Sequence, residues 1–217
     1  MHSIPQIYPI TDTRISGLSH AEQVQKLIAG GAALIQVREK YAASDEFYRS
    51  ALAAAAIASA SGVPLIINDR VDIAIAVGAA GVHLGQDDLP PVEARALLGS
   101  KAIIGFSTHT IEQARAAAAL PVDYIAFGPV FPTGTKENPD EVVGLDGLRE
   151  VRRVIGDIPL VAIGGINGSN LTSVLSSGAD SAGMIGALIS VPANITLRMQ
   201  KLAALAQQHL DLGVKHS

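Results

Sequence analysis

The feature that most constrains this chain is a repeated change of hydrophobic period. Short β-branched runs at 7–11, 34–38, 64–68, 81–84, 102–107, 124–128, 160–163 and 181–185 are apolar at consecutive positions, as strands covered on both faces must be. Between them lie alanine-rich stretches with helical spacing at 21–29, 45–59, 92–98, 111–119, 145–154 and 171–176. A last one, at 195–209, follows the eighth run. Strands alternating with helices in this way form a parallel sheet flanked by helices. Eight such units predict an α/β fold of the closed (β/α)8, or TIM, barrel type in a single domain. The barrel is expected over about 7–209, with a polar, frayed tail past 213. An open doubly wound sheet is the alternative, but it usually has fewer strands and leaves two edges to protect. Gly30, Gly31, Gly62, Gly78 and Gly178 fall just before strands and read as helix C-caps.

Composition narrows the function classes. A chain of 217 residues with 48% hydrophobic and 17% charged residues can bury a large core and does not read as disordered. A net charge of -4 gives no footprint for nucleic acid or an anionic membrane, so an anionic ligand must be held by local groups. The absence of cysteine excludes disulfides, thiolate nucleophiles and thiolate-bound metals. Residues 1–11 lack a basic region followed by an apolar core, so no signal peptide is expected there. The longest apolar run, 51–60, falls well short of the ~20 residues needed to span a bilayer. The expectation is a cytoplasmic protein acting on small molecules; a homodimer is allowed.

Polar residues collect at the C-terminal ends of the predicted strands, the face that carries active sites in such barrels. Gln36, Arg38 and Lys40 alternate at the end of the second strand, which places all three on one face. A surface strand bearing salt bridges would alternate in the same way. Asn68, Asp69 and Arg70 close the third strand, and Gly85, Gln86, Asp87 and Asp88 close the fourth. Carboxylates at two neighbouring strand ends suit Mg²⁺, which keeps several waters and shares itself with substrate phosphates. Either Asp alone reads better as a helix N-cap; their occurrence at adjacent ends shifts the balance toward metal. The fifth strand ends in Ser107, Thr108 and His109, where His109 can cap, pack or take part in chemistry. The irregular segment 128–136 holds Thr133, Gly134, Thr135 and Lys136 and reads as a binding loop. Gly164 and Gly165 after the seventh strand, with Ile185 and Gly186 after the eighth, offer the backbone amides of a phosphate cradle.

Six segments together resemble the thiamine-phosphate synthase family: Gln36-Val37-Arg38-Glu39-Lys40, Asn68-Asp69-Arg70, 81–88, 105–109, 128–136 and 163–166. Each is weak alone, but the set in this order on successive strand ends is specific, and it spans about residues 8–186. The resemblance implies a transferase that joins an aminopyrimidine diphosphate to a thiazole phosphate, giving thiamine phosphate and pyrophosphate. It implies that the 36–40 segment (Gln36, Val37, Arg38, Glu39 and Lys40) and Asn68 hold the pyrimidine diphosphate. Asp69 and Asp88 would bind Mg²⁺, while Ser107 and Lys136 would contact the pyrimidine and its diphosphate. Thr133, Gly134 and Thr135 would grip the thiazole phosphate with the amides of Gly165, Ile185 and Gly186. Arg38, Lys40 and Lys136 would act as catalytic groups by neutralising charge on the leaving group. The chain departs from the family at Gly183 and Gly186, where a small hydroxyl residue is expected at one or both, and at Asp87, more often Glu. One alternative is a thiazole tautomerase on the same fold, but such relatives place a catalytic histidine where this chain has Pro129. The other is a non-catalytic phospholigand-binding barrel, which would not need Lys40, Asp69, Asp88 and Lys136 together.

Overall fold

The protein is described by a computed structural model covering residues 4–134 and 141–214. Eight parallel strands close on themselves in sequence order. They are β1 (Ile7–Thr11), β2 (Ile35–Val37), β3 (Leu65–Asn68) and β4 (Gly81–Leu84). The circle continues through β5 (Ile103–Thr108), β6 (Tyr124–Phe127), β7 (Leu160–Ile163) and β8 (Ser181–Met184). Pairing of Tyr8 with Gly183 joins β1 to β8, so no edge strand is left. The open-sheet alternative is thereby removed, and every strand end falls within one residue of the sequence expectation.

Alternation along each strand divides the core into two. Tyr8, Ile66, Ile103, Tyr124, Ala126 and Val161 point inward and fill the barrel. Ile35, Val37, Ile67, Val82, Ile104, Ile125 and Leu160 point outward against the helices. This is why the strands read as continuously apolar.

The predicted helices are present as α2 (His20–Ala29), α3 (Ser44–Ala60), α5 (Pro91–Leu98), α6 (Ile111–Ala117), α7 (Gly144–Ile155), α8 (Leu171–Ser176) and α10 (Ile195–Val214). A Ser19–Glu22 capping box starts α2, supplying acceptors to amides that have no partner within the helix. Helix α10 continues to Val214 rather than ending at 209. Three helices go beyond the expectation: α1 (Thr13–Ser16), α4 (Val71–Val77) and α9 (Gly186–Ile189). α1 and α9 are single turns. In α4, Val71, Ile73, Ile75 and Val77 alternate with other residues, a strand-like period that hides the helix. No helix among the described residues is long and apolar enough to cross a membrane.

The N-terminal face of the barrel is held by one device used twice. Asp123, just before β6, accepts from the Ile104 amide and pairs with Arg95 of α5 at 2.6 Å. Asp180, just before β8, accepts from the Leu160 amide and pairs with Arg152 of α7 at 2.5 Å. Each carboxylate satisfies a strand-end amide, leaving the opposite face for ligands.

Candidate active site

At the C-terminal mouth, the ends of β1 to β4 bring basic and acidic groups together. β2 stops at Val37, so Arg38, Glu39 and Lys40 lie on the loop beyond it. Arg38 pairs with Asp12 Oδ2 at 2.6 Å, and Asp12 Oδ1 accepts from the amides of Arg14 and Ile15. One carboxylate thus caps α1 and orients the guanidinium. Lys40 Nζ donates to Asp69 Oδ2 at 2.5 Å. Gln36 points into the barrel and donates to the Tyr8 hydroxyl at 3.2 Å. Val37 is buried against the helices, leaving only its backbone for a ligand.

Glu39 has a local task. It accepts from the Thr13 hydroxyl and from the amides of Lys40 and Tyr41, and lies 3.5 Å from His20 Nε2. Burial opposes its charge, but those hydrogen bonds and His20 outweigh it and hold the carboxyl below its ordinary range. Its side chain builds the loop that carries Arg38 and Lys40.

The two aspartates are not helix caps. The N-cap of α4 is Arg70 and that of α5 is Pro90, and neither helix has a side-chain cap bond. Asp69 takes φ 64°, the one non-glycine positive φ among the described residues, while its amide donates to His83 O at 2.8 Å. Left-handed backbone costs a non-glycine residue about 1–2 kcal/mol, and such strain tends to persist at functional sites. Asp88 Oδ2 accepts from the Gly85 amide at 2.7 Å, closing the turn after β4. The Asp69 carboxyl lies close enough to act on the charge of Asp88. Burial first, then Asp69, pushes the Asp88 carboxyl above its ordinary range. No group of three or more His, Cys, Asp or Glu residues that could hold a metal gathers among the described residues. Two neighbouring carboxylates at adjacent strand ends fit a hard cation that completes its shell with water and phosphate.

Asn68 is buried at the end of β3, and its Nδ2 has no hydrogen-bond partner. An orphaned buried donor at a mouth is what a ligand acceptor would satisfy. Ser107, half-buried on β5, meets His83 Nε2 at 2.8 Å, and its carbonyl accepts from Gln86 Nε2 at 2.5 Å. Burial pushes the His83 imidazole down to about 4, so it is neutral at neutral pH. His109 Nδ1 meets Gly128 O at 2.7 Å, tying β5 to the loop after β6.

Across the mouth, the β6 loop is pinned to β7. Val130 N donates to Ile163 O at 2.9 Å and Phe131 N to Gly164 O at 3.0 Å. Gly165, at φ 65°, has no room for a side chain: a Cβ would sit 2.6 Å from Pro132 O and 2.7 Å from Phe131 Cβ. This close contact packs Phe131 and Pro132 against the β7 end, and Thr133 and Gly134 follow them in the chain. Ile185 is the N-cap of α9 and Gly186 its first residue, so a short helix begins directly after β8. Thr135 and Lys136 lie outside the described residues.

Asp12 and His83 carry no role in the sequence reading. Asp12 follows the apolar run of β1, so the strand-end rule that singled out Asn68 also applies to it. His83 is an inward-facing polar residue within an apolar strand, a weaker signal.

Fold and mouth together define a (β/α)8 barrel that gathers basic and acidic side chains at its C-terminal mouth. The profile described as thiamine monophosphate synthase matches residues 7–188. A thiamine-phosphate synthase of Chloroflexus aurantiacus is 42% identical over 201 residues, 92% of each chain. One from Syntrophomonas wolfei is 47% identical over 184 residues, covering 84% of this chain and 88% of that one. The structure of thiamine phosphate pyrophosphorylase from Pyrococcus furiosus superposes with a TM-score of 0.84 at 34% identity, covering 94% of this chain and 96% of that one. The chain belongs to the thiamine monophosphate synthase family.

Proposed function

We propose that this enzyme joins an aminopyrimidine diphosphate to a thiazole phosphate, forming thiamine phosphate and releasing pyrophosphate. The observation that carries the reading is the division of the mouth. Arg38, Lys40 and the Asp69–Asp88 pair gather on the β2–β4 side, while Gly165 and the start of α9 lie on the β7–β8 side. The first suits a diphosphate and the second a monophosphate.

The residues act by binding and charge stabilisation. Pyrophosphate leaves a benzylic-type carbon, and the electron-rich aminopyrimidine spreads the resulting positive charge. Arg38, oriented by Asp12, and Lys40 stabilise the charge growing on the leaving oxygens; Lys136 is assigned the same task. Asp69 and Asp88 would hold Mg²⁺, which when bound supplies further charge neutralisation at the diphosphate. Asn68 Nδ2 and Ser107 Oγ bind and orient the pyrimidine substrate. Thr133, Gly134 and Thr135, with the amides of Gly165, Ile185 and Gly186, place the thiazole phosphate so that its ring nitrogen faces the reacting carbon. The nucleophile belongs to the substrate, so no covalent enzyme intermediate is required. Holding both partners in line contributes on the order of 7–11 kcal/mol in well-oriented model reactions.

Incubation with both substrates, with and without Mg²⁺, tests the reading through thiamine phosphate and pyrophosphate release. Rapid aromatisation of an isomeric thiazole phosphate, with no coupling when the pyrimidine is added, would overturn it in favour of a tautomerase.

A further inference from the structure

Beneath the mouth, five side chains form one continuous hydrogen-bonded line through the barrel. Gln36 Nε2 donates to Tyr8 Oη at 3.2 Å, and Tyr8 Oη lies 3.0 Å from Tyr124 Oη. Tyr124 Oη lies 2.9 Å from His83 Nδ1, and His83 Nε2 lies 2.8 Å from Ser107 Oγ. Gln36 is 2% exposed, Tyr8 1%, Tyr124 0% and His83 7%, so water cannot substitute for a missing partner within the line. The Tyr124 ring stacks on His83 at 5.5 Å and meets Tyr8 edge-on at 5.8 Å. Gly105 on the neighbouring strand makes the room: a Cβ there would fall 2.0 Å from Tyr124 Cζ and 2.3 Å from its hydroxyl.

With Gln36 presenting its amide nitrogen to Tyr8, counting donors sets the direction of every other bond in the line. Tyr8 already accepts from Gln36, so its own hydrogen must go to Tyr124 or remain buried and unpaired. Tyr124, having accepted, must donate to His83 Nδ1 for the same reason. Nδ1, having accepted, carries no hydrogen, so the single proton of the ring sits on Nε2 and is donated to Ser107 Oγ. The Ser107 hydroxyl hydrogen is then left over, and it has no acceptor among the described residues.

We propose that the Tyr8–Tyr124 pair is a positioning relay that holds His83 as the Nε2-protonated tautomer and makes Ser107 an obligate hydrogen-bond donor at the mouth. The ligand atom that meets Ser107 is therefore an acceptor, a pyrimidine ring nitrogen or a diphosphate oxygen, and not an amino group. This last step rests on the proposed function; the tautomer does not.

The test is a long-range proton–nitrogen correlation spectrum of the protein labelled at histidine, with the His83 signals identified by their loss in His83→Gln. The expected pattern is a bare Nδ1 and a protonated Nε2 at neutral pH. Tyr124→Phe removes only the hydroxyl, and both His83 nitrogens should shift toward an average of the two tautomers. Tyr8→Phe leaves Tyr124 able to donate and should shift them less. A protonated Nδ1 in the parent, or a His83 pattern indifferent to Tyr124→Phe, overturns the relay. Titration with inorganic pyrophosphate or with the diphosphate-free aminopyrimidine alcohol distinguishes the two acceptor sources by which one moves the His83 Nε2 signal; movement by neither overturns the donor role of Ser107. In turnover, Tyr124→Phe should raise KM for the pyrimidine diphosphate about three- to tenfold with KM for the thiazole unchanged, whereas equal rises would mark a merely structural role. A normal tautomer pattern in a protein that does not couple the two substrates would sink the proposed function and leave the relay standing.

Discussion

Two glycines at the phosphate side of the mouth should respond oppositely to gaining a side chain. Gly165 lies at φ 65°, and a Cβ there would approach Pro132 O to 2.6 Å and Phe131 Cβ to 2.7 Å. Left-handed backbone costs alanine about 1–2 kcal/mol and overpacking adds about 1–3, so Gly165→Ala should destabilise by roughly 2–5 kcal/mol. For a chain of this size that is a fall in Tm of roughly 4–20 °C. Gly186 opens α9, and a Cβ there would meet nothing within 4 Å. Gly186→Ser should therefore leave stability unchanged or raise it by up to about 1 kcal/mol, through the reduced freedom of the unfolded chain. If the thiazole phosphate sits against this turn, the new hydroxyl gains one hydrogen bond. A gain of about 1 kcal/mol lowers KM for the thiazole roughly fivefold, with KM for the pyrimidine unaltered. Thermal melts and steady-state kinetics with each substrate varied in turn read both effects. A Gly165→Ala protein as stable as the parent would refute the steric argument. A Gly186→Ser protein with both KM values moved alike would refute the placement of the phosphate.

Asp69→Asn and Asp88→Asn should each abolish most Mg²⁺-dependent turnover while melting near the parent temperature. Neither aspartate caps a helix, and in Asp88→Asn the side-chain amide oxygen can still accept from the Gly85 amide. Unfolding of either variant with normal activity per folded molecule would contradict the metal assignment. Lys40→Ala should raise KM for the pyrimidine diphosphate and lower kcat while sparing KM for the thiazole, with a loss of about 2–5 kcal/mol if the closed site excludes water; an effect confined to the thiazole would reverse the assignment of the two pockets. Burial moves His83 from 6.5 to about 4, so the unfolded chain binds that proton first, and stability that is whole above about pH 6.5 is lost as pH falls toward 4. The loss amounts to about 3 kcal/mol; denaturant midpoints across that range should fall more steeply for the parent than for His83→Gln, and parallel slopes would refute it.

Local pattern was enough to specify the barrel and the strand ends where its chemistry had to lie. A change of period from consecutive apolar residues to helical spacing is a local property, repeated eight times, and parallel strands buried on both faces have few other ways to close. Strand ends were legible because apolar runs stop at polar residues, as Ile67 gives way to Asn68 and Asp69, and Leu84 to Gly85. Helix α4 was not legible, since Val71, Ile73, Ile75 and Val77 carry a strand's alternation, and its place against α3, β3 and β4 is a matter of tertiary packing. Nor could local pattern decide whether Asp69 and Asp88 capped helices or lay close to each other; both readings share the same residues, and only the three-dimensional approach of two loops separates them. The pairing of Arg38 with Asp12 and of Lys40 with Asp69 joins residues 26 and 29 positions apart. The Tyr8–Tyr124 bond spans 116 positions. Such contacts depend on the stagger of neighbouring strands and on a glycine at 105 that clears a ring on the next strand. Each of these side chains is ordinary in its own segment, so its task becomes visible only when barrel closure fixes its neighbours.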